Sequence, residues 1–199
     1  MKVLDNEFGD LDAIIKDTEL VITSQLEDDI LECESELRET CSALADLDCI
    51  LSLSDVAARF GYVRPLVLPP SEHCISIKNG GHPLQEQIID GEFVRNDTAV
   101  DASNRVNIIT GPNFSGKSCY ARQVGILVYM AHIGSFLPCD SARISVVDRI
   151  LAQFSSAETC SVPQSSFQLD LTRTGAMIRA ATQHSLILID EFGKGMLPK

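Results

Sequence analysis

The run Gly111-Pro112-Asn113-Phe114-Ser115-Gly116-Lys117-Ser118 constrains this chain more than any other stretch, because it fits the spacing GxxxxGK[ST]. Glycines in such a run let the backbone wind tightly. Successive N–H groups then point into one concavity at a helix start, a shape that suits phosphate oxygens. On this reading Gly111 to Gly116 cradle the phosphates, Lys117 reaches the β- and γ-phosphates, and the Ser118 hydroxyl holds Mg²⁺. Val106-Asn107-Ile108-Ile109-Thr110 predicts a short buried strand entering the loop, and the apolar stretch after Ser118 predicts a helix leaving it. A merely glycine-rich turn is the competing reading.

The second informative run is Leu186-Ile187-Leu188-Ile189-Asp190-Glu191. Four consecutive branched apolar residues suit a strand buried on both faces. Two carboxylates at its C-terminal end lie where ligands of open α/β sheets bind. Asp190 is then a support for Mg²⁺, and Glu191 a base that orients and deprotonates an attacking water. Alone, the run reads equally as a buried strand followed by a solvated acidic turn. Together with Lys117 it points to a nucleoside triphosphatase. The guanine-reading pattern Asn-Lys-x-Asp is absent, which favours ATP over GTP.

From Asp10 to Phe60 there is neither proline nor glycine. Leu11, Ile15, Thr18, Ile22, Leu26, Ile30, Cys33, Leu37, Cys41, Leu44, Leu47 and Leu51 follow one another at steps of three or four residues, averaging about 3.6. That is the period of a straight helix, not a 3.5-residue seam. A long amphipathic helix, interrupted at most once, is the expectation, and its stripe needs a packing partner. Cys33, Cys41 and Cys49 recur every eight residues and read as small core residues, not metal ligands. A helical hairpin strand or a coiled coil is the alternative for this segment.

Charge divides the chain in the same place. Residues 1–55 carry sixteen acids against three basic residues, while the whole chain is at −12, so the remainder is close to neutral. Such an acidic arm repels phosphate backbones, whereas DNA affinity rests on Lys and Arg displacing counterions. Seven cysteines without a C-x-x-C pair and an N-terminus that turns acidic within five residues predict reduced thiols and no secretory signal. The longest apolar stretch, Val124 to Cys139, includes His132, Ser135 and Pro138 and is too short and mixed to span a bilayer. Pro65 to Gly81, with Pro69-Pro70 and Asn79-Gly80-Gly81, marks a boundary. The expected division is a helical arm over residues 1–64 and a nucleotide-binding domain over 65–199. His73, His132 and His184 read as surface or satisfied core residues, and Tyr129 and Phe136 as packing. Nothing beyond proximity in sequence draws Arg143 or Arg149 toward phosphate.

At these residues the chain resembles the MutS family of mismatch-recognition ATPases. Ile108 to Asn113 is similar to that family's strand and loop. Met130-Ala131-His132-Ile133-Gly134-Ser135-Phe136-Leu137-Pro138 resembles its segment after the loop helix, and Leu186 to Gly195 its second nucleotide motif. Ala45 to Asp48 and Tyr62 to Pro65 resemble the junction between its lever helix and ATPase domain. Ser115 and Phe192-Gly193-Lys194-Gly195 look more like the fifth eukaryotic MutS homologue, which works in meiotic recombination.

The resemblance implies an α/β fold, a P-loop NTPase of the ABC class with a parallel or mixed sheet and flanking helices, preceded by a long α-helical lever arm. It also implies ATP and Mg²⁺ at a dimer interface shared with another MutS homologue. A DNA-dependent ATPase cycle then drives clamp movement on mismatched or branched DNA, held through domains outside this chain, in the nucleus. Ser161 to Phe167 resembles the signature loop of that class, with Ser165 and Ser166 as contacts to the γ-phosphate in trans. By itself that segment passes as a Ser-rich linker. Phe93-Val94-Arg95-Asn96-Asp97 resembles the family's strip beside the adenine base, giving Phe93 and Asn96 as base contacts. Gly80-Gly81-His82-Pro83 stands where the family has Gly-Arg-His-Pro and reads as a structural turn. None of the four histidines follows Asp190, so the family's switch histidine has no counterpart here. The expected domain is accordingly incomplete after the carboxylate strand. The alternative function is a non-hydrolysing nucleotide-binding or interaction module.

Overall fold

The computed structural model describes residues 11–154 and 166–192, with backbone alone for residues 166 and 167. The chain divides into two compact units, Met1–Ser52 and Leu53–Lys199.

In the first unit, helix α1 (Leu11–Glu32) is followed by helix α2 (Glu34–Phe60), which runs on past Ser52. The interruption falls at Cys33. Its N–H bonds the Ile30 carbonyl three residues back, and its own carbonyl accepts from Leu37 N–H, so one tight turn separates the helices. Thr18 and Thr40 return their hydroxyls to carbonyls four residues earlier, and Arg38 pairs with Glu34 across one turn at 2.6 Å. The apolar stripe has no cover among the described residues: Leu26, Ile30, Leu37, Leu44 and Leu47 are all exposed. Cys33, Cys41 and Cys49 are exposed too, which corrects their expected place in a core. The 3.6-residue spacing selects helix, but a stripe is buried only when another element covers it.

The second unit holds two sheets. Strands β1 (Leu66–Leu68), β2 (Ile75–Gly80), β3 (Asn96–Val100) and β4 (Ser141–Ser145) form a four-stranded sheet in the order β1-β4-β2-β3. β1 and β4 are parallel, while β2 is antiparallel to both β4 and β3. Between them lie a short helix α3 (Gln85–Ile88) and the long helix α4 (Lys117–His132). Strands β5 (Ile150–Gln153) and β6 (Leu186–Ile189) make a separate parallel pair, with helix α5 (Ser166–Ala180) between them in sequence.

The core follows from the two periods. Ile75 and Ile77 on β2, and Ala142 and Ile144 on β4, alternate inward at period two. Gln123, Val124, Leu127, Val128 and Ala131 recur at helical spacing on one face of α4 and are buried. Leu137 and Cys139 close the same cluster, and burial pushes the Cys139 thiol up to about 11. His132 fastens the end of α4: Nδ1 donates to the Val128 carbonyl at 2.7 Å, and Nε2 accepts the Val147 N–H at 2.8 Å. The helix also lies close on the second sheet. A Cβ built at Gly125 would sit 2.7 Å from Leu188 Cδ1, so a larger residue there would have to displace the end of that leucine side chain.

This architecture corrects the expected fold class. The described residues form two small sheets, one mixed and one of two strands, and not the continuous sheet of a complete ABC-class P-loop domain. The strand expected over residues 106–110 is missing. That segment is unpaired, with Val106 at 78% and Ile108 at 86% exposure. Side-chain bonds hold it instead of a ladder: Arg105 donates to the Gln183 carbonyl at 2.7 Å, and Asn107 Nδ2 to the Ala99 carbonyl at 3.5 Å. A cavity of about 450 Å³ lies between this segment and β6, lined by Val106, Ile109, Val124, Leu186 and Leu188. A strand needs a partner within ladder distance, and β6 takes its partner, β5, on one edge only. Tyr129 is 58% exposed and Phe136 38%, so neither is the packing residue expected from sequence.

Candidate functional site

The loop 111–118 ends where α4 begins. Gly116, at φ +93° and ψ 7°, takes the left-handed conformation that turns the chain into the helix. The first intrahelical bond runs from Tyr120 N–H to the Gly116 carbonyl, so the preceding N–H groups of the first turn have no partner within the helix. At the other end of the loop, a Cβ on Gly111 would come 3.0 Å from Ser115 Oγ. Lys117 curls back over its own loop and donates to the carbonyls of Gly111 at 2.8 Å and Pro112 at 2.7 Å. Phe114 stands at φ +63° with its ring fully exposed.

A cleft of about 630 Å³ opens beside this loop. Thr110, Phe114, Ser115, Gly116, Lys117, Cys119 and Tyr120 form one side, and Gln85, Ile89, Phe93, Val94 and Asn96 complete it. The structure thus brings Phe93 and Asn96 to the same cleft as Ser115, Gly116 and Lys117. Phe93 and Asn96 are half-buried there. Tyr120 fixes the helix start to β3 by donating its hydroxyl to the Asp97 carbonyl at 3.3 Å. Asp97 accepts from Asn79 N–H at 2.8 Å and Lys78 Nζ at 2.7 Å, and these bonds hold its carboxyl below the usual range. They brace the bulge of β2 between Ile77 and Gly80.

Two residues of this cleft, Gln85 and Cys119, carry no sequence signal of their own. The Cys119 thiol donates to Gln85 Oε1. Burial raises the Cys119 thiol above its ordinary value, with Arg122 acting in the opposite sense. Gln85 is also anchored through its backbone: buried His82 accepts the N–H groups of Leu84 and Gln85 on Nδ1, each at 3.3 Å. Beside it, Glu86 pairs with Arg95 at 2.8 Å, and the Glu86 carboxylate lies where a side chain on Gly81 would stand.

His82 gives this corner a pH dependence. Burial lowers its pKa below the ordinary 6.5, with Arg122 also lowering it and Glu86 opposing. The folded state therefore prefers the neutral ring, whose Nδ1 can accept. That contribution is complete above about pH 6.5 and is lost as pH falls through the depressed folded value. Amide exchange at Leu84 and Gln85 is expected to speed up on acidification from pH 7 to 5, beyond the intrinsic trend. A His82→Phe variant should show fast exchange at both pH values, and pH-independent protection in the wild type would refute the cap.

Asp190 and Glu191 follow β6 directly. Asp190 N–H donates to the Gln153 carbonyl at 2.9 Å, continuing the β5–β6 ladder, and Glu191 takes a left-handed φ of +50°. Neither lines the cleft beside the loop. Of the residues expected at a nucleotide, Phe93, Asn96, Phe114, Ser115, Gly116 and Lys117 line the cleft, whereas Gly111, Pro112, Asn113 and Glu191 do not, and Ser118 and Asp190 are not brought into one cavity for Mg²⁺. Ser165 lies outside the described residues, and so does the side chain of Ser166. Among the described residues no cluster of three His, Cys, Asp or Glu side chains could hold a metal. No helix among them is long and apolar enough to cross a membrane.

A family model described as MutS domain V matches residues 107–197, a span that includes the loop, α4 and β6. The DNA mismatch repair protein MutS of Lachnoclostridium phytofermentans is 36% identical over 197 residues, covering 98% of this chain and 21% of that protein. The protein of the same name from Chlorobaculum tepidum is 39% identical over 168 residues, covering 83% of this chain and 19% of its own length. The chain spans about a fifth of the length of these curated relatives. Aligned along almost its entire length with MutS proteins, and carrying their domain V, the chain belongs to the MutS family.

Proposed function

We propose that this chain is the nucleotide-responsive portion of a MutS-type DNA mismatch repair protein, binding ATP with Mg²⁺ in the cleft beside loop 111–118. The observation that carries this is the convergence of Lys117, Gly116 and Ser115 with Phe93 and Asn96 on one cleft. In this reading the backbone of Gly111, Pro112, Asn113, Phe114, Ser115 and Gly116 wraps the phosphates. Lys117 exchanges its two loop carbonyls for phosphate oxygens, and Ser118 supplies its hydroxyl to Mg²⁺. Phe93 offers a ring face to the base. When bound, MgATP would supply the phosphoanhydride to be cleaved. Asp190 and Glu191 stand outside the cleft at the end of β6, and their roles as metal support and base are the part of the proposal that the Glu191→Gln variant tests. Ser165 and Ser166 serve the nucleotide of a partner MutS homologue. DNA engagement and clamp movement belong to other portions of such a protein, since the arm is acidic.

The names of both relatives favour mismatch repair over meiotic recombination. The meiotic branch, and with it a nuclear location, rests on Ser115 and Phe192 to Gly195. Calorimetric titration with MgATP tests binding: one saturable site is expected, and no heat of binding at millimolar ATP rejects the proposal. In phosphate-release assays, Glu191→Gln is expected to cut turnover by about a hundredfold or more while ATP stays bound. Unchanged turnover dismisses Glu191 as the base.

A further inference from the structure

The side of the cleft that loop 111–118 does not form comes from the connection between β2 and β3. Apolar packing does little to hold this wall. Helix α3 is a single turn, and Leu84, Ile88, Ile89 and Val94 around it are exposed. So short a helix with so little buried surface needs polar ties. His82 supplies one at the start of α3, accepting the N–H groups of Leu84 and Gln85. Glu86 and Arg95 supply another, and neither of them lines the cleft. Arg95 stands between the lining residues Val94 and Asn96, and Glu86 follows the lining residue Gln85. Arg95 Nε donates to Glu86 Oε1 at 2.8 Å and Nη2 to Oε2 at 3.1 Å. Two prongs fix angle as well as distance. The side chains are 33% and 14% exposed, against 61% and 59% for the Lys78–Asp97 pair, so water competes less here.

Room for the Glu86 carboxylate comes from Gly81, where an added Cβ would overlap Glu86 Oε1. The Gly81 N–H is held by the Pro138 carbonyl at 2.7 Å. A methyl group there is therefore relieved by turning the carboxylate aside, not by moving the chain. We infer that Glu86 and Arg95 are positioning residues that hold the α3 side of the cleft against the base half of a bound nucleotide, with Gly81 leaving the space their pair requires. The inference rests on the nucleotide reading given above and adds to it three residues outside the cleft that set its affinity. Neither charge meets the nucleotide. Their loss is felt by whatever rests on Phe93 and Asn96, and not by the phosphates at loop 111–118.

Calorimetric titration of the full chain with MgATP and with magnesium tripolyphosphate, which offers the phosphates without base or ribose, tests it. Glu86→Ala, Arg95→Met and Gly81→Ala are each expected to weaken ATP by roughly threefold to tenfold, the scale of a partly screened two-pronged ion pair. Each should leave tripolyphosphate unchanged, a split that general damage to the fold would not produce. Gly81→Ala alters no charge and no cleft-lining residue, so its agreement with the other two isolates the pair. Lys117→Ala should weaken both probes. If the wild type binds neither probe, or Lys117→Ala changes neither affinity, the nucleotide reading itself fails. If Lys117→Ala weakens both probes but the three variants keep wild-type ATP affinity, or weaken both probes alike, positioning by this pair is overturned.

Discussion

Replacing Lys117 by alanine is expected to weaken ATP binding by roughly ten- to a hundredfold, the range of a hydrogen bond to a charged group, about 1.5–3 kcal/mol. The effect stays at this scale because Nζ is already satisfied in the free chain by the Gly111 and Pro112 carbonyls. Binding swaps two neutral acceptors for phosphate oxygens, so affinity reflects a difference between two bonded states. The two carbonyls belong to exposed residues, which protects the fold. With Lys117 removed, both carbonyls turn to water, and thermal stability should move by no more than about 0.5 kcal/mol, as for other surface changes. Calorimetry on both proteins checks the first part and thermal denaturation the second. Equal affinities remove the phosphate-binding role of loop 111–118.

Leu127→Ala carries the largest expected effect on stability. Leu127 is fully buried on α4 against Ile75, Ile77, Leu137 and Ile144. Truncating such a side chain costs about 2–5 kcal/mol through lost transfer energy and the cavity left behind. Leu26→Ala on α1 serves as the control, because Leu26 is 57% exposed and loses little. Thermal or urea unfolding followed by circular dichroism should show a large shift for the first and almost none for the second. Similar shifts for both would mean that α4 does not pack on the four-stranded sheet.

What sequence reasoning could see was local. The helix Lys117–His132 shows itself because its apolar residues keep helical spacing, and β6 because four branched residues stand together. The break at Cys33 has no marker, since cysteine neither caps nor stops a helix by itself. Residues 106–110 look as much like a strand as β6 does, yet pairing is a property of neighbours far away in sequence, and no strand among the described residues pairs with them. In the cleft, Lys117 and Gly116 are legible from spacing. Phe93 and Asn96 come only through family resemblance. Gln85 and Cys119 are ordinary residues until folding sets a thiol against an amide oxygen 34 positions back in the chain.

The missing side chain at Gly125 has a mechanical consequence. Helix and strand meet there with less room than a methyl group needs, so any larger residue at this position would have to turn the end of the Leu188 side chain aside. The closeness of this crossing comes from an atom the chain leaves out.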